Sequence, residues 1–209
     1  MRGWAGAVKP GGAMRALIVV AHPMRGAFCA ALGDAVGNGV QVAGGQVDLC
    51  DLGAEGFQPV MQPQDMAQFT GESPPEDVQA HMARIEAAQA LAFVFPVWWW
   101  SVPAVLKGWF DRVLRVNWAW SDEATRPLAL AGKRVRMLAT TADSPQGFAN
   151  SGAESVLRQQ LCQGVWGFCG VEDATLDIFH DLHGDTPPEL RAQYLQRARQ
   201  MGEDLASVR

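Results

Sequence analysis

Three short stretches of this chain combine residue types that bind anions and flat rings: "AHPMRGAF" from Ala21, "PVWWWSVP" from Pro96 and "TTADSPQGF" from Thr140. In the first, His22 and Arg25 bring side-chain donors. A helix beginning near Gly26–Phe28 brings free N–H groups that attract anions. In the second, the consecutive Trp98, Trp99 and Trp100 offer ring faces for stacking, with N–H groups ahead of Pro103 directed at a ligand. The third offers the hydroxyls of Thr140 and Thr141 in a turn with Ala142 and Asp143. Each stretch also has a plainer reading. The first is a strand–helix turn with His22 as a local cap, the second an aromatic core or dimer-interface cluster, the third an ordinary strand-end turn.

Other chemistries lack their residues. The first loop has neither G-x-G-x-x-G nor a Walker A pattern, which argues against a dinucleotide-type Rossmann site and a P-loop. Ser101, Ser144 and Ser151 have no nucleophile-elbow context, and no pair of carboxylates stands out as a glycosidase dyad. His180, Asp181, His183 and Asp185 read as solvated loop polars rather than metal ligands. Cys29, Cys50, Cys162 and Cys169 form no C-x-x-C and no metal-ligand spacing. No metal is therefore expected, and reduced thiols of a cytoplasmic protein are.

The elements that position these loops follow from hydrophobic period. "RALIVVA" reads as a buried strand stopped by Pro23, "AFCAALGDAV" as a helix and "QVDLCDL" as a second strand. Residues 53–75, rich in Gly, Gln and Pro, read as a long loop. "SPPEDVQAHMARIEAAQ" starts as a helix, with Ser73 placed to cap and Pro74 or Pro75 in the first turn. "ALAFVF" is apolar on both faces and belongs in the middle of a parallel sheet. Pro103 opens the next helix, with Val105, Leu106, Trp109, Phe110 and Val113 on one stripe. Lys107–Asp111 and Asp111–Arg115 are i,i+4 pairs on its wet side. Gly108 costs about 1 kcal/mol in a helix interior, which points to close backbone packing against another element or a second subunit. "KRVRMLATT" is a fourth strand, "GAESVLRQQLCQGVWGF" a helix, "EDATLDIF" a fifth strand and "PPELRAQYLQRARQMGEDLA" a closing helix. Five strand–helix alternations make a doubly wound α/β sandwich around a five-stranded parallel sheet. In such a sheet ligands bind outside the carboxyl ends of the strands, where the three loops lie side by side.

The chain of 209 residues with 48% hydrophobic and 19% charged residues is one domain's worth of ordinary globular sequence. Its net charge of −5 argues against a nucleic-acid footprint, and no apolar run reaches the ~20 residues of a membrane helix. Residues 1–13 read as a flexible arm, or as an upstream start before Met14, and carry no secretory signal. The domain spans 14–209.

"FPVWWWSVPAVLKGWFDRV" closely resembles the flavin-loop signature of the NAD(P)H:quinone oxidoreductases, the DT-diaphorase family on a flavodoxin-like fold. "LIVVAHPMRGAF" is similar to that family's first loop, "EGFQP" to its second-strand loop, "ATTA" to its T-T-G-G loop and "GVWGFCGV" to its late helix-to-strand segment. The resemblance covers about residues 14–205. It implies that His22, Phe28 and Cys29 hold the flavin phosphate or pyrophosphate, with Arg25 as an added donor. It gives Gln58 the adenosine part. Pro96, Val97, Trp98, Trp99 and Trp100 surround the isoalloxazine ring, and Thr140, Thr141, Ala142 and Asp143 close over its other edge. Trp118, Ala119 and Trp120 line the substrate pocket across a homodimer interface, with Phe148 beside them.

The family's activity implies hydride transfer from NAD(P)H through the flavin to a quinone-like acceptor in the same slot, so no catalytic side chain is assigned. FAD is expected, with FMN the alternative. Ala27 and Cys29 replace the first loop's Ser and Asn, Ala142 and Asp143 replace two glycines, and the mammalian Tyr–His pair falls on Phe148 and Glu154. These departures place the chain nearer the family's bacterial branch. Some bacterial relatives are ancillary subunits of potassium-efflux systems, which makes a transporter partner the alternative expectation.

Overall fold

The structure, a computed structural model, describes residues 13–123 and 128–207. Nearly all of the expected N-terminal arm therefore lies outside the described residues. Five strands, β1 (Arg15–Val20), β2 (Gln46–Asp51), β3 (Ala90–Pro96), β4 (Arg134–Thr140) and β5 (Asp173–Phe179), pair in parallel in the order β2-β1-β3-β4-β5. Six helices flank them: α1 (Phe28–Val42), α2 (Glu76–Ala87), α3 (Ala104–Val113), α4 (Pro145–Ser151), α5 (Ala153–Arg158) and α6 (Pro188–Ala206).

The strand pleat divides the core into two layers. Leu91, Phe93 and Phe95 of β3 face α2, α3 and α5, whereas Ala90, Ala92 and Val94 face α1 and α6. That two-sided burial is why β3 is an unbroken apolar run. On the first face Phe93, Trp109, Phe110 and Trp166 pack edge-on and tilted, with ring centroids 4.8–5.9 Å apart. Trp109 and Trp166 are fully buried, so these two of the chain's eight Trp residues are core. On the other face the small residues of β3 let α1 and α6 approach. A Cβ on Gly39 would lie 2.0 Å from the Arg199 carbonyl oxygen, and one on Gly202 2.1 Å from that of Val36.

Several local expectations are corrected. The connection over 53–75 contains a 3-10 helix, Pro63–Thr70, whose Asp65 carboxylate accepts from the Gln62 N–H at 2.7 Å. Asp65 is buried because Arg112 of α3 donates to it at 2.9 Å. Ser73 caps nothing, since α2 starts at Glu76 after Pro75 with no side-chain cap. The Lys107–Asp111 pair forms at 2.6 Å. Asp111–Arg115 does not, because Arg115 turns inward to the carbonyls of Asp65 and Glu72. Gly108 does mark a close approach, to a loop of its own chain: an added Cβ would lie 2.1 Å from the Pro59 carbonyl oxygen. The helical segment after Gly152 is α5 followed by π-helical turns over Gln159–Gly167. The short helix α4, capped by the Ser144 hydroxyl accepting from the Gly147 N–H, is an addition.

Candidate functional site

The carboxyl ends of β1, β3, β4 and β5 open into a cleft of 460 Å³. Its lining includes His22, Phe28 and Cys29 from the first loop, Pro96, Val97 and Trp98 from the second, and Thr140, Thr141 and Ala142 from the third. Three stretches far apart in sequence thus meet because parallel strands end on one edge.

Each lining group has a defined state. Met24 N–H donates to His22 Nδ1 at 3.0 Å. The same Nδ1 lies 3.3 Å from the Met24 carbonyl oxygen. These contacts are the local cap expected of His22, and His22 also lines the cleft. No side chain caps the start of α1 at Ala27, so its first N–H groups keep their attraction for anions. Cys29 Sγ lies 3.4 Å from Thr140 Oγ1. Burial pushes the Cys29 thiol up, which keeps it neutral. Thr141 Oγ1 accepts from the Asp143 N–H at 3.1 Å, and the Asp143 carbonyl accepts from the Asp181 N–H at 3.1 Å.

The Trp loop is a two-residue turn. Trp98 and Ser101 exchange both backbone hydrogen bonds at 3.0 and 3.1 Å. Val97 N–H is taken by the Thr140 carbonyl at 2.8 Å, so the N–H groups of Val97, Trp98 and Ser101 are bonded within the chain. Trp99 and Trp100 sit at φ 52° and 56°, a conformation that such turns normally give to Asn and Gly. The tip projects, and Trp99 is 99% exposed.

Several expected residues are not brought to the cleft. Trp99 and Trp100 stand outside it at the turn. Arg25 is exposed and reaches the Ala54 carbonyl. Gln58 is exposed in the loop after β2, and its carbonyl accepts from Arg112 at 2.8 Å. Asp143 joins the third loop to the fifth strand's end through its backbone rather than offering its carboxylate to the cleft. Trp118 donates from Nε1 to Glu86 of α2 at 2.7 Å, and Ala119 is fully buried. Trp120 stacks on Phe168 at 5.4 Å beside a separate cavity of 250 Å³. Phe148 is a core residue packed edge-on against His180, unable to touch a substrate from its burial at 1% exposed. Glu154 is spent on an i,i+4 pair with Arg158.

Sequence reasoning missed one wall. Leu182, His183, Gly184 and Arg191 line the cleft from the end of β5 and the start of α6. Arg191 lies over the Phe28 ring, its guanidinium carbon 5.3 Å from the ring centre, and donates to the His183 carbonyl at 2.8 Å. His183 bonds the Asp185 carboxylate, which holds that carboxyl below its usual range. The signal was present: β5 ends on the same edge as the other strands, so its loop had the same claim as theirs.

The family model described as a flavodoxin-like fold matches residues 14–201. The chain is 30% identical over 204 residues to NAD(P)H dehydrogenase [quinone] 1 of Rattus norvegicus, covering 87% of this chain and 74% of that one. It is 28% identical over 172 residues to an uncharacterized NAD(P)H oxidoreductase of Haemophilus influenzae, covering 81% and 85%. The solved NAD(P)H:quinone oxidoreductase of Methanothermobacter marburgensis superposes with a TM-score of 0.84 at 28% identity, covering 95% of this chain and all of that one. The names of these relatives give no support to a transporter-subunit role.

Proposed function

The chain belongs to the flavodoxin-like fold family of NAD(P)H:quinone oxidoreductases, and from that premise we propose that it is an NAD(P)H-dependent flavoprotein reductase acting on quinones or similar flat aromatic acceptors. The observation that carries the reading is the cleft itself. One end is rich in anion donors and the other has an apolar, aromatic wall. His22, the uncapped start of α1 and the Arg191 guanidinium fit a phosphate or pyrophosphate. Pro96, Val97 and Trp98 on one side, with Thr140, Thr141 and Ala142 on the other, fit a flat ring. Residues Ala27 and Cys29 are poor donors, and Arg191 supplies the positive charge their side chains do not.

A flavin bound there supplies the hydride chemistry, from NAD(P)H to the acceptor. The chain binds, orients and excludes water. Thr140 and Thr141, both buried, present hydroxyls to the ring edge. Val97 and Trp98 shield one side. Phe148 and Glu154 hold and move no proton, so the acceptor's protons come from water or another group. FAD is favoured over FMN by the likeness of Lys107–Val113 and of Gln58 to FAD-using members. The exposed Trp99 and Trp100 support a homodimer in which a second copy completes the acceptor slot. Four free cysteines and the absence, among the described residues, of a helix long and apolar enough to cross a membrane support a cytoplasmic place.

The test is the absorbance spectrum of the purified protein, chromatography of the released chromophore, and an NAD(P)H-plus-quinone assay. A flavin spectrum, released FAD and flavin-dependent turnover are expected. A protein that stays colourless after incubation with FAD and with FMN overturns the reading.

A further inference from the structure

On the first-face side of β2, among residues that do not line the cleft, three potential metal ligands from three elements converge. They are Cys50 of β2, Glu55 of the following turn and His81 of α2, with ligand atoms all within 4.8 Å of one another. Cys50 Sγ is 3.5 Å from Glu55 Oε2 and 3.8 Å from His81 Nδ1. A zinc ion about 2.3 Å from sulfur and about 2.0 Å from nitrogen or oxygen separates tetrahedral donors by about 3.5 Å. The sulfur–oxygen and sulfur–nitrogen spacings are thus close to those of an assembled site.

The donors are also held in place. Arg84 donates to Glu55 Oε1 at 2.9 Å and Oε2 at 2.8 Å. It is itself anchored on Asp48 at 2.7 Å and on the Leu49 carbonyl at 2.8 Å. Glu55 can thus offer Oε2 to a cation while Oε1 keeps the guanidinium, the arrangement by which outer partners orient metal-bound carboxylates. The turn carrying Glu55 is closed by Glu55 N–H to Asp51 O at 2.8 Å and Phe57 N–H to Leu52 O at 3.0 Å. His81 is fixed edge-on against Phe57 and Trp109 at 5.0 and 6.2 Å. Cys50 and His81 are buried, while the Glu55 side chain is 37% exposed. This gives an ion an entry path and leaves a fourth coordination position toward solvent.

We propose that Cys50, Glu55 and His81 bind one zinc ion, or a similar borderline divalent transition metal, as a thiolate–carboxylate–imidazole site. One thiolate and one carboxylate neutralise the ion's two charges, and this S, N and O set suits zinc rather than calcium or magnesium. Binding replaces the Cys50 thiol proton with the metal, and that proton leaves to solvent. The bound ion staples β2 and α2 to the root of the loop that carries Gln58. The spacing of 5 and then 26 residues between the ligands hides the site in the sequence. The inference does not depend on the flavin reading.

The test is an anaerobic titration of the reduced, chelator-stripped full chain with Co2+, read by absorbance and by proton release. One equivalent should give a thiolate-to-cobalt charge-transfer band with tetrahedral d–d bands, and about one proton released per metal. The charge-transfer band should vanish in Cys50→Ser. Affinity should fall by at least roughly tenfold in Glu55→Gln, a half-exposed substitution that keeps the decision available if Cys50→Ser does not fold. Absence of the charge-transfer band in the wild type, its survival in Cys50→Ser, or an unchanged affinity in Glu55→Gln would overturn the proposal.

Discussion

Arg112 Nε donates to Asp65 Oδ2 at 2.9 Å, with the two side chains 3% and 0% exposed. The same guanidinium reaches the half-exposed Asp77 at 2.6 Å and the Gln58 carbonyl at 2.8 Å. One α3 side chain thereby ties down both the 3-10 helix and the loop before it. Removing one partner of a buried pair leaves an uncompensated charge and costs about 3–5 kcal/mol, whereas exposed pairs contribute about 1 kcal/mol or less. Asp65→Ala should lower the unfolding free energy in urea by about 3 kcal/mol, and Asp77→Ala by less than about 1 kcal/mol. Equal losses would mean that burial of Asp65 is not what gives the pair its weight.

Gly108→Ala separates propensity from packing. In an exposed helix the change stabilises by about 1 kcal/mol. Here the new methyl would sit 2.1 Å from the Pro59 carbonyl oxygen, and overpacking of that kind costs about 1–3 kcal/mol. The expected outcome is a net loss of about 1 kcal/mol with faster proteolysis of the 53–62 loop. A more stable variant would show that the loop yields freely.

The buried thiols make a pH prediction. Burial raises Cys29 and Cys50, and pushes Cys169 to about 11 from 9.0. A native thiol that keeps its proton above the unfolded pKa stabilises the fold below pH 9. That contribution disappears as pH rises to 11, because the unfolded chain sheds its proton first. The stability advantage of wild type over Cys169→Ala should therefore shrink by on the order of 2 kcal/mol across that window. A difference that stays constant with pH would contradict it. In alkylation at neutral pH, the half-buried Cys162 should label first.

The turn at Trp99 and Trp100 should trade stability against function. Positive φ in a bulky residue costs about 1–3 kcal/mol. Trp99→Asn with Trp100→Gly removes that cost and also removes two rings from the cleft's rim. Thermal denaturation should shift upward by about 2–4 °C, while quinone turnover falls several-fold. A lowered melting temperature would place the two rings inside an assembly interface.

The strands were readable because β3 and β1 are apolar on both faces and because Pro96 and Pro23 stop them. The position of the cleft followed from parallel topology, and the places of His22, Thr140 and Thr141 in its lining with it. What stayed hidden depended on long-range partners. Asp65 looks like a loop polar until Arg112, 47 residues later, makes its burial possible. Arg191 looks like one more solvated helix charge until the end of β5 folds it over Phe28. Phe148, aligned with a pocket residue, lies in the core because α4 turns it inward. Local period cannot report any of these, since each is decided by where a distant element comes to rest.

The touching backbones of α1 and α6 have a reach beyond their own contact. The glycines that allow it, Gly39 and Gly202, sit on the far side of the molecule from the ligand edge. Yet α1 begins at Phe28 and α6 carries Arg191 near its start, so the two helices are the two jaws of one end of the cleft. Gly39 lies about 16 Å along α1 from Phe28. A methyl wedged at either glycine would act as a lever, prying Arg191 off the Phe28 ring without altering a single residue that lines the cleft. Sensitivity to substitution in this protein should therefore have a second centre, on its outer face, where the gape of the site is set.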